Sequence, residues 1–409
     1  MEIINVFYYL AVILFLGKCF GLLARKIGLP QVAGMVLAGI FIGLLSKLHS
    51  NGNFFLNLII APNGEEMNVL HVFSQIGVVL ILFSSGMETD LDELKKSGLS
   101  ASFIALAGVL VPMLLGTSFA LAFMNGFSDY SPDKLLNAIF VGTILAATSV
   151  GITAETLKEL GKINTKVGQA IISAAIIDDV LGIVALSIVS SVRDGGAAQI
   201  GITLLKTVGF FAFSIGLGIL IRLYFKWEES KFPHKRRTSI FALATCFFFA
   251  FCAEKFFGVA AITGAYMAGI MHSGLVDTNF VDRKIVVSGY MLFTPIFFTY
   301  IGISADFSGF NANYLLFALA FIVLGIAGKI IGCGLTAKAF GFNLRESATV
   351  GCGMIARGEV ALAVYAAGSS LISPGGVDPL VATIFLIVVS SVICPIVLKA
   401  LFKEKQAIG

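Results

Sequence analysis

Two adjacent aspartates, Asp178 and Asp179, lie in the segment "AIIDDVLGI", inside a long apolar run. A carboxylate at the centre of a membrane helix costs about 2.5–3.5 kcal/mol, so two of them need partners or a function. Neighbouring residues on an α-helix project about 100° apart. One carboxylate can therefore face a cavity while the other faces a neighbouring helix. The alternative is a protonated or hydrogen-bonded pair that only packs.

A third charged residue, Lys329 in "GIAGKIIGC", is the best internal partner for these aspartates. It lies about two turns from the predicted end of its helix, and the alternative is that it extends to the membrane interface. Carboxylates in a half-dry site bind either a proton or a cation, and a neighbouring lysine couples to their protonation. A site that holds either Na⁺ or protons, and that does not cross the membrane empty, exchanges one for the other. Oxygen ligands from Asp179, hydroxyls and backbone carbonyls suit an alkali cation.

The composition shows what must position these residues. The chain is 57% hydrophobic and 13% charged, whereas a soluble domain has about 25% charged residues. The sequence therefore predicts an all-α integral membrane protein, with about thirteen apolar segments long enough to cross the hydrocarbon as helices. The predicted spans are 5–23, 31–48, 68–87, 98–124, 135–157, 167–192, 200–221, 238–254, 258–274, 285–303, 313–336, 347–369 and 379–398.

The distribution of positive charge predicts the orientation. Twenty of the 28 lysines and arginines fall in loops on one side of the predicted membrane, and four fall on the other side. Because cytoplasmic loops retain positive charge, we expect a multi-pass protein of the cell membrane with its N-terminus outside and its C-terminus in the cytoplasm. The net charge of +4 reflects this topology and predicts no nucleic-acid partner.

The thirteen spans divide into six, one and six, which would give the two halves opposite orientations, as in inverted-repeat transporters. Polar residues interrupt corresponding spans: Thr148, Ser149 and Thr153 lie in the fifth, and Arg357 and Glu359 lie in the twelfth. If both helices unwind, their free carbonyls and end dipoles favour a cation site. Glycines and hydroxyls also serve as packing contacts in membrane helices. For Arg357 and Glu359 a structural role at broken helix ends is favoured over transport.

Other classes of protein fit the sequence less well. An ion channel would need a continuous pore and a filter repeated around an axis, and the chain has one asymmetric charged site. An intramembrane hydrolase could use two aspartates to activate a water, but these would come from two helices facing one substrate. A purely structural role would leave Asp178, Asp179 and Lys329 unexplained. We therefore expect a transporter and not an enzyme.

The segments "ATSVGITAETLKELGK", "AIIDDVLGI", "GKIIG" and "GMIARGEVAL", in this order, resemble the monovalent cation:proton antiporter superfamily. The similarity is greatest to its NapA-like and GerN-like Na⁺/H⁺ antiporters. It implies an NhaA/NapA-like fold with two inverted six-helix repeats and two crossed, discontinuous helices, assembled as a homodimer in the lipid bilayer. It also implies an elevator-type alternating-access mechanism, with no cofactor besides the transported Na⁺ and H⁺, and a physiological role in pH homeostasis, salt tolerance or spore germination.

The resemblance also implies a division of the chain into domains. Residues 1–97 and 238–303 would form a scaffold and dimerisation domain. Residues 98–192 and 304–409 would form the ion-transporting core. Residues 193–237 would be a linker helix followed by a cytoplasmic loop.

Single residues match the motifs of the family. Asp179 matches the essential carboxylate that binds the ion and the proton, and Asp178 matches the neighbouring acid that pairs with a core lysine, here Lys329. Thr148 and Ser149 match the unwound crossing whose oxygens help to form the site. The acid pair is typical of electrogenic members and favours exchange of two protons for each Na⁺ or Li⁺.

The resemblance does not decide whether the protein transports Na⁺ or K⁺. The sequence Arg357–Gly358–Glu359 is shared with exchangers that also handle K⁺. The alternative to Na⁺/H⁺ exchange is therefore K⁺/H⁺ or Na⁺/H⁺-K⁺ exchange on the same fold.

Overall fold

The computed structural model of the 409-residue chain describes residues 3–26, 31–48, 64–89, 98–124, 131–163, 165–192, 196–231, 236–275, 278–304, 312–372 and 376–402. Regular secondary structure in these ranges is helical throughout. The α-helices are α1 Ile3–Lys26, α2 Gln31–Leu48, α3 Gly64–Glu88, α4 Gly98–Phe123, α5 Pro132–Ala146, α6 Val150–Glu159, α7 Lys166–Val192, α8 Gly196–Lys231, α9 Arg236–Phe257, α10 Ala261–His272, α11 Thr278–Ser288, α12 Thr294–Ser304, α13 Ala312–Ala339, α14 Leu344–Gly353, α15 Glu359–Gly368 and α16 Leu380–Phe402.

Helices predominate because hydrocarbon offers no hydrogen-bonding partner to the backbone, and a helix satisfies its own N–H and C=O groups. Within the described ranges, eight helices are long and apolar enough to cross a membrane, and three shorter apolar helices accompany them. The prediction of an all-helical membrane protein is confirmed. A π-helical turn, Gly289–Phe293, joins α11 to α12.

Two of the predicted spans contain a break. In the fifth, α5 ends at Ala146 and α6 begins at Val150. In the twelfth, α14 ends at Gly353 and α15 begins at Glu359. The halves have their own start signals: Ser131 caps α5, with Pro132 in its first turn, and Asn343 forms a capping box with Glu346 at the start of α14. Such caps satisfy the first free N–H groups of a helix.

The chain divides into two compact units. Unit 1 comprises Met1–Asp90 and Leu204–Gly309, and unit 2 comprises Leu91–Thr203 and Phe310–Gly409. Unit 2 has an apolar core in which Ile104 and Ile171 pack with residues of α13 and α14. The residues predicted to carry the chemistry all belong to unit 2.

Pairs of glycines bring helices of unit 1 into close contact. A Cβ on Gly39 of α2 would lie 2.9 Å from the Cα of Gly302 on α12. A Cβ on Gly86 of α3 would lie 3.0 Å from the Cα of Gly269 on α10. Small residues let membrane helices approach closely enough for extensive van der Waals contact, which replaces the hydrophobic effect inside a bilayer.

We expect Gly86→Val to lower the thermal stability of the purified protein, because the new side chain would overlap the backbone of α10. Overpacking of this kind costs about 1–3 kcal/mol. The measurement is the midpoint of thermal unfolding in detergent. Gly216→Val is the matched control, since a Cβ at Gly216 of α8 would meet nothing within 4 Å. Equal midpoints for the two variants would contradict the close contact.

Candidate functional site

An ion pair between two helices lies at the centre of the candidate site. Lys329 of α13 donates through Nζ to Asp178 Oδ1 of α7 at 2.5 Å. Both side chains are fully buried, with 0% of their surface exposed. Asp178 Oδ2 accepts no hydrogen bond from any described residue. The structure thus brings together two of the predicted residues, and Lys329 does not extend to the interface.

The ion pair needs space, which a glycine of α4 supplies. A Cβ on Gly108 would lie 2.6 Å from Cys333 Sγ and 3.3 Å from Asp178 Oδ1. Cys333 lies one turn after Lys329, and its thiol donates to the carbonyl of Ile104 at 3.6 Å. The lysine is therefore held between α4 and α7 by packing as well as by charge.

The second carboxylate, Asp179, is also buried, with 7% of its surface exposed. It is the middle residue of the 27-residue helix α7. Because successive helical residues diverge by about 100°, it projects away from the direction in which Asp178 meets Lys329. The two acids thus have different surroundings, as their adjacency in sequence predicts.

The two helix breaks are joined by direct hydrogen bonds. The backbone N–H of Ser149 donates to the carbonyl of Ala356 at 2.8 Å. The hydroxyl of Thr153 donates to the carbonyl of Gly353 at 2.8 Å. A Cβ on Gly358 would lie 2.8 Å from Ser149 Oγ, so the two helix breaks approach each other closely here. These bonds satisfy backbone groups that the breaks release from the helices.

Arg357 connects the breaks through its side chain. The guanidinium is fully buried and donates to Thr148 Oγ1 at 3.2 Å, to the carbonyl of Leu145 at 2.6 Å and to the carbonyl of Gly325 at 3.3 Å. Leu145 belongs to the last turn of α5, whose free carbonyls carry partial negative charge. A fixed planar cation suits this place because its N–H groups reach several acceptors at once.

Two serines of α16 hold the backbone of Arg357. Its N–H donates to Ser390 Oγ at 3.1 Å, and its carbonyl accepts from Ser391 Oγ at 3.1 Å. The sequence interpretation missed both residues. Their signal is a pair of adjacent polar residues in an apolar helix, the same signal that identified the two aspartates.

Glu359 is the first residue of α15, and its side chain lies outside the described part of the structure. The other predicted site residues, Thr148, Ser149, Thr153, Asp178, Asp179, Lys329 and Arg357, are all buried in unit 2.

Among its described side chains, this arrangement combines two buried carboxylates with two buried cations, beside backbone that is not helical. Carboxylates, hydroxyls and backbone carbonyls are hard oxygen ligands, which favour small ions such as Na⁺ over transition metals. Ionisable groups buried in a membrane domain mark ion pathways and proton relays. The fold and the buried charges together define a cation transport protein of the membrane.

Comparison with known proteins gives the family. The sequence profile described as "Sodium/hydrogen exchanger, transmembrane" matches residues 11–404. The chain belongs to this family. The predicted resemblance to cation:proton antiporters is confirmed, and so is the expectation of a transporter and not an enzyme.

Individual relatives cover almost the whole chain. The Na(+)/H(+)-K(+) antiporter GerN of Bacillus cereus is 33% identical over 405 residues, which are 98% of this chain and 97% of GerN. A Na(+)/H(+) antiporter of Enterococcus hirae is 33% identical over 392 residues, covering 94% and 95% of the two chains. The solved structure of the sodium proton antiporter MjNhaP1 from Methanocaldococcus jannaschii matches 98% of this chain and 97% of that chain, with a TM-score of 0.71 at 18% identity. The structural match shows that the fold is shared.

We expect Lys329→Met to destabilise the protein strongly, because it leaves Asp178 buried without its ion-pair partner. Breaking a buried pair from one side costs about 3–5 kcal/mol. The double variant Asp178→Asn/Lys329→Met should recover much of this loss, since neither side then holds a lone charge. The measurement is thermal unfolding in detergent. Lys338→Met, at an exposed lysine on the same helix, is the control, and a loss equal to that of Lys329→Met would show that the broken ion pair is not the cause of the destabilisation.

Proposed function

We propose that the chain exchanges Na⁺ or Li⁺ for H⁺ across the cell membrane. The observation that carries the proposal is the pair of buried carboxylates, Asp178 and Asp179, at the middle of α7. Burial of two acids in a membrane domain is costly, and reversible binding of a cation or a proton accounts for it. Membership of the sodium/hydrogen exchanger family supports the same activity.

In this proposal, Asp179 binds the transported cation or a proton, one at a time. Thr148 and Ser149, at the break between α5 and α6, lie in the stretch that supplies further oxygen ligands. Asp178 and Lys329 form the second protonation site. Because the two groups are in contact, they titrate as a coupled pair, and binding of the cation changes the number of protons that the pair holds. A carrier that crosses the membrane only when loaded then couples the two fluxes.

The inverted repeat of six helices is part of the proposal, and the glycine contacts of unit 1 support it. The repeat makes the second span (α2) equivalent to the ninth (α10), and the third span (α3) equivalent to the tenth (α12). The contact of Gly39 on α2 with Gly302 on α12 then corresponds to that of Gly269 on α10 with Gly86 on α3. Each pair of helices has one close glycine–glycine approach, as the repeat requires.

Glycine contacts in unit 2 also support the inverted repeat. A Cβ on Gly142 of α5 would collide with the backbone of α4 at Met113, and one on Gly351 of α14 would lie 2.7 Å from the carbonyl of Ile330 on α13. These are the fifth span against the fourth, and the twelfth against the eleventh. We propose that α5–α6 and α14–α15 are the two crossed, discontinuous helices of a thirteen-span fold.

We further propose that unit 2 is the transport core and that unit 1 is the scaffold and dimerisation domain, with α8 as the linker helix. Unit 2 contains the described site residues. Its two breaks are tied by Ser149, Thr153 and Arg357, so the site can move as one body in an elevator-type transition. The protein would act as a homodimer with its N-terminus outside and its C-terminus in the cytoplasm, in pH homeostasis.

Arg357 has a structural role in this proposal. Its three side-chain hydrogen bonds go to Thr148, Leu145 and Gly325, and it stabilises the carbonyl end of α5. A cation fixed in this way does not travel relative to the site. The permanent positive charge of Arg357 repels other cations in this dry region, which limits how many further positive charges the site accepts.

Exchange that also involves K⁺ is the second candidate. GerN, which is 33% identical, is named a Na(+)/H(+)-K(+) antiporter. The sequence Arg357–Gly358–Glu359, which resembles that of exchangers that also handle K⁺, lies at the second break. Both candidates use the same carboxylates and differ in the size of the cation that the oxygen ligands accept.

We expect Na⁺ or Li⁺ to dissipate a pH gradient in proteoliposomes that contain the wild-type protein, and we expect Asp179→Asn to abolish this. The amide keeps the shape of the side chain but neither ionises nor exchanges a proton. The measurement is the signal of a pH-sensitive dye after separate additions of Na⁺, Li⁺ and K⁺. Lys338→Gln, a charge change on an exposed residue of unit 2, is the control and should exchange like the wild type.

Each outcome of that experiment has a clear meaning. A response to K⁺ alone would replace Na⁺/H⁺ exchange by the second candidate. Equal rates for wild type and Asp179→Asn would contradict the role of this carboxylate. Absence of any response in the wild type would contradict the proposed exchange.

We expect the exchange to be electrogenic, with two protons per cation, because Asp178–Lys329 adds a second protonation site to Asp179. A Na⁺ concentration jump on proteoliposomes adsorbed to a solid-supported membrane should produce a transient current. Asp179→Asn proteoliposomes and protein-free liposomes are the controls. Exchange measured by the dye without any current would show one proton per cation and would contradict the prediction.

A further inference from the structure

A groove of about 500 Å³ lies on unit 1 between α8 and α9. Leu220, Tyr224 and Phe225 line it from α8, and Phe241, Ala244 and Phe248 line it from α9. Several of these rings are exposed, among them Phe241 at 45% and Phe248 at 50%. Inside a bilayer, such a groove is filled by an apolar chain.

One end of the groove is basic. On α9, Arg237 lies one turn before Phe241, and on α8, Lys231 lies two turns after Tyr224. In sequence, residues 222–237, which include the last residues of α8 and the first of α9, contain six lysines and arginines and two glutamates. Among the described side chains, Lys226, Lys231 and Arg237 are exposed. The groove therefore runs from an apolar wall into a positively charged end.

The basic end is also partly rigid. Arg237 Nε donates to Oε1 of the buried Glu228 at 2.9 Å, while 45% of the arginine side chain stays exposed. The glutamate thus fixes the guanidinium near the end of the groove. A fixed guanidinium is well suited to phosphate because it donates parallel hydrogen bonds to two oxygens.

The basic end of the groove has aromatic residues of the kind found at the headgroup level of a lipid bilayer. The rings of Tyr224 and Trp227 lie 6.1 Å apart, and Lys231 Nζ lies 4.7 Å from the centroid of the Trp227 ring. Trp227 is 50% exposed. Tryptophan and tyrosine concentrate at the level of the lipid headgroups, where one end of the ring is apolar and the other is wet.

We propose that the groove between α8 and α9 binds an anionic phospholipid. One acyl chain lies against Phe241, Ala244 and Phe248, and the headgroup phosphate is bound by Arg237 and Lys231. The exposed basic side chains Lys226, Lys231 and Arg237 select an anionic headgroup over a zwitterionic one, since each lysine or arginine near the surface attracts an anionic lipid. The lipid site uses none of the carboxylates of unit 2.

The sequence provides its own probe, because Trp227 is the only tryptophan in the chain. Bromine atoms on an acyl chain quench tryptophan fluorescence on contact. We therefore expect brominated phosphatidylglycerol, mixed into phosphatidylcholine vesicles, to quench Trp227 at lower mole fractions than brominated phosphatidylcholine. The preference should be about fivefold, the effect of one basic residue near the surface.

Three variants make the test specific. Lys231→Gln and Arg237→Gln should each reduce the preference for phosphatidylglycerol towards onefold. The Lys231→Gln variant keeps the ion pair of Arg237 with the buried Glu228, so its effect does not come from an unpaired glutamate. Ala244→Phe should fill the groove and reduce the preference without changing any charge. Lys255→Gln, the same change at the opposite end of α9, is the matched control and should keep the preference.

Several results would overturn the proposal. Equal quenching by the two lipids in the wild type would exclude selection of an anionic lipid. A preference that survives Ala244→Phe would place the lipid outside the groove. Protection of Trp227 from both lipids would show that the face is covered by protein, such as a second copy of this chain.

Discussion

Hydrocarbon provides no partner for a charge or a free carbonyl, so each must find one inside the protein. The ion pair of Lys329 and Asp178, 2.5 Å long and inaccessible to solvent, is the point at which this requirement is most demanding. Its position depends on Gly108 of α4, which leaves space for both groups. A buried ion pair contributes little net stability, because desolvation offsets the attraction. Its presence is better explained by what the carboxylate does when ions bind.

In the proposed exchange, the charges of unit 2 make the site respond to a cation. Among the described side chains of the site, two buried aspartates and two buried cations, Lys329 and Arg357, balance when all four are ionised. A cation that binds at Asp179 adds one positive charge to this dry region. Arg357 cannot lose its proton in a protein and is fixed by three acceptors. Among the described side chains, this leaves Asp179 and the Asp178–Lys329 pair to make the adjustment, which is the coupling that the proposed exchange requires.

The sequence predicts those parts of the structure that depend on residue type, and leaves out those that depend on distances between helices. Asp178, Asp179, Lys329 and Arg357 stand out because charge is rare in apolar helices. The hydroxyls and glycines near Thr148 correctly indicate interrupted helices, which the structure has at both places. Hydropathy alone gives each interrupted span as one continuous segment, since a break of a few residues does not change the average.

The residues that support the site were harder to predict. The chain contains 44 glycines, and nothing in the local sequence distinguishes Gly108, which borders the ion pair, from glycines that border nothing. That difference exists only once α4 has packed against α7 and α13. Ser390 and Ser391 could have been identified, because adjacent polar residues in an apolar helix resemble the aspartate pair.

In the proposed repeat, the serine pair of α16 corresponds to the aspartate pair of α7. The repeat would make α7 and α16 equivalent, and Asp179 and Ser391 are the middle residues of these helices, which have 27 and 23 residues. One half thus has two acids where the other has two hydroxyls. Acids at both places would add two carboxylates to a dry region whose described charges already balance. The serines instead hold the backbone of Arg357, so in this proposal one half supplies the groups that titrate and the other fixes a buried cation.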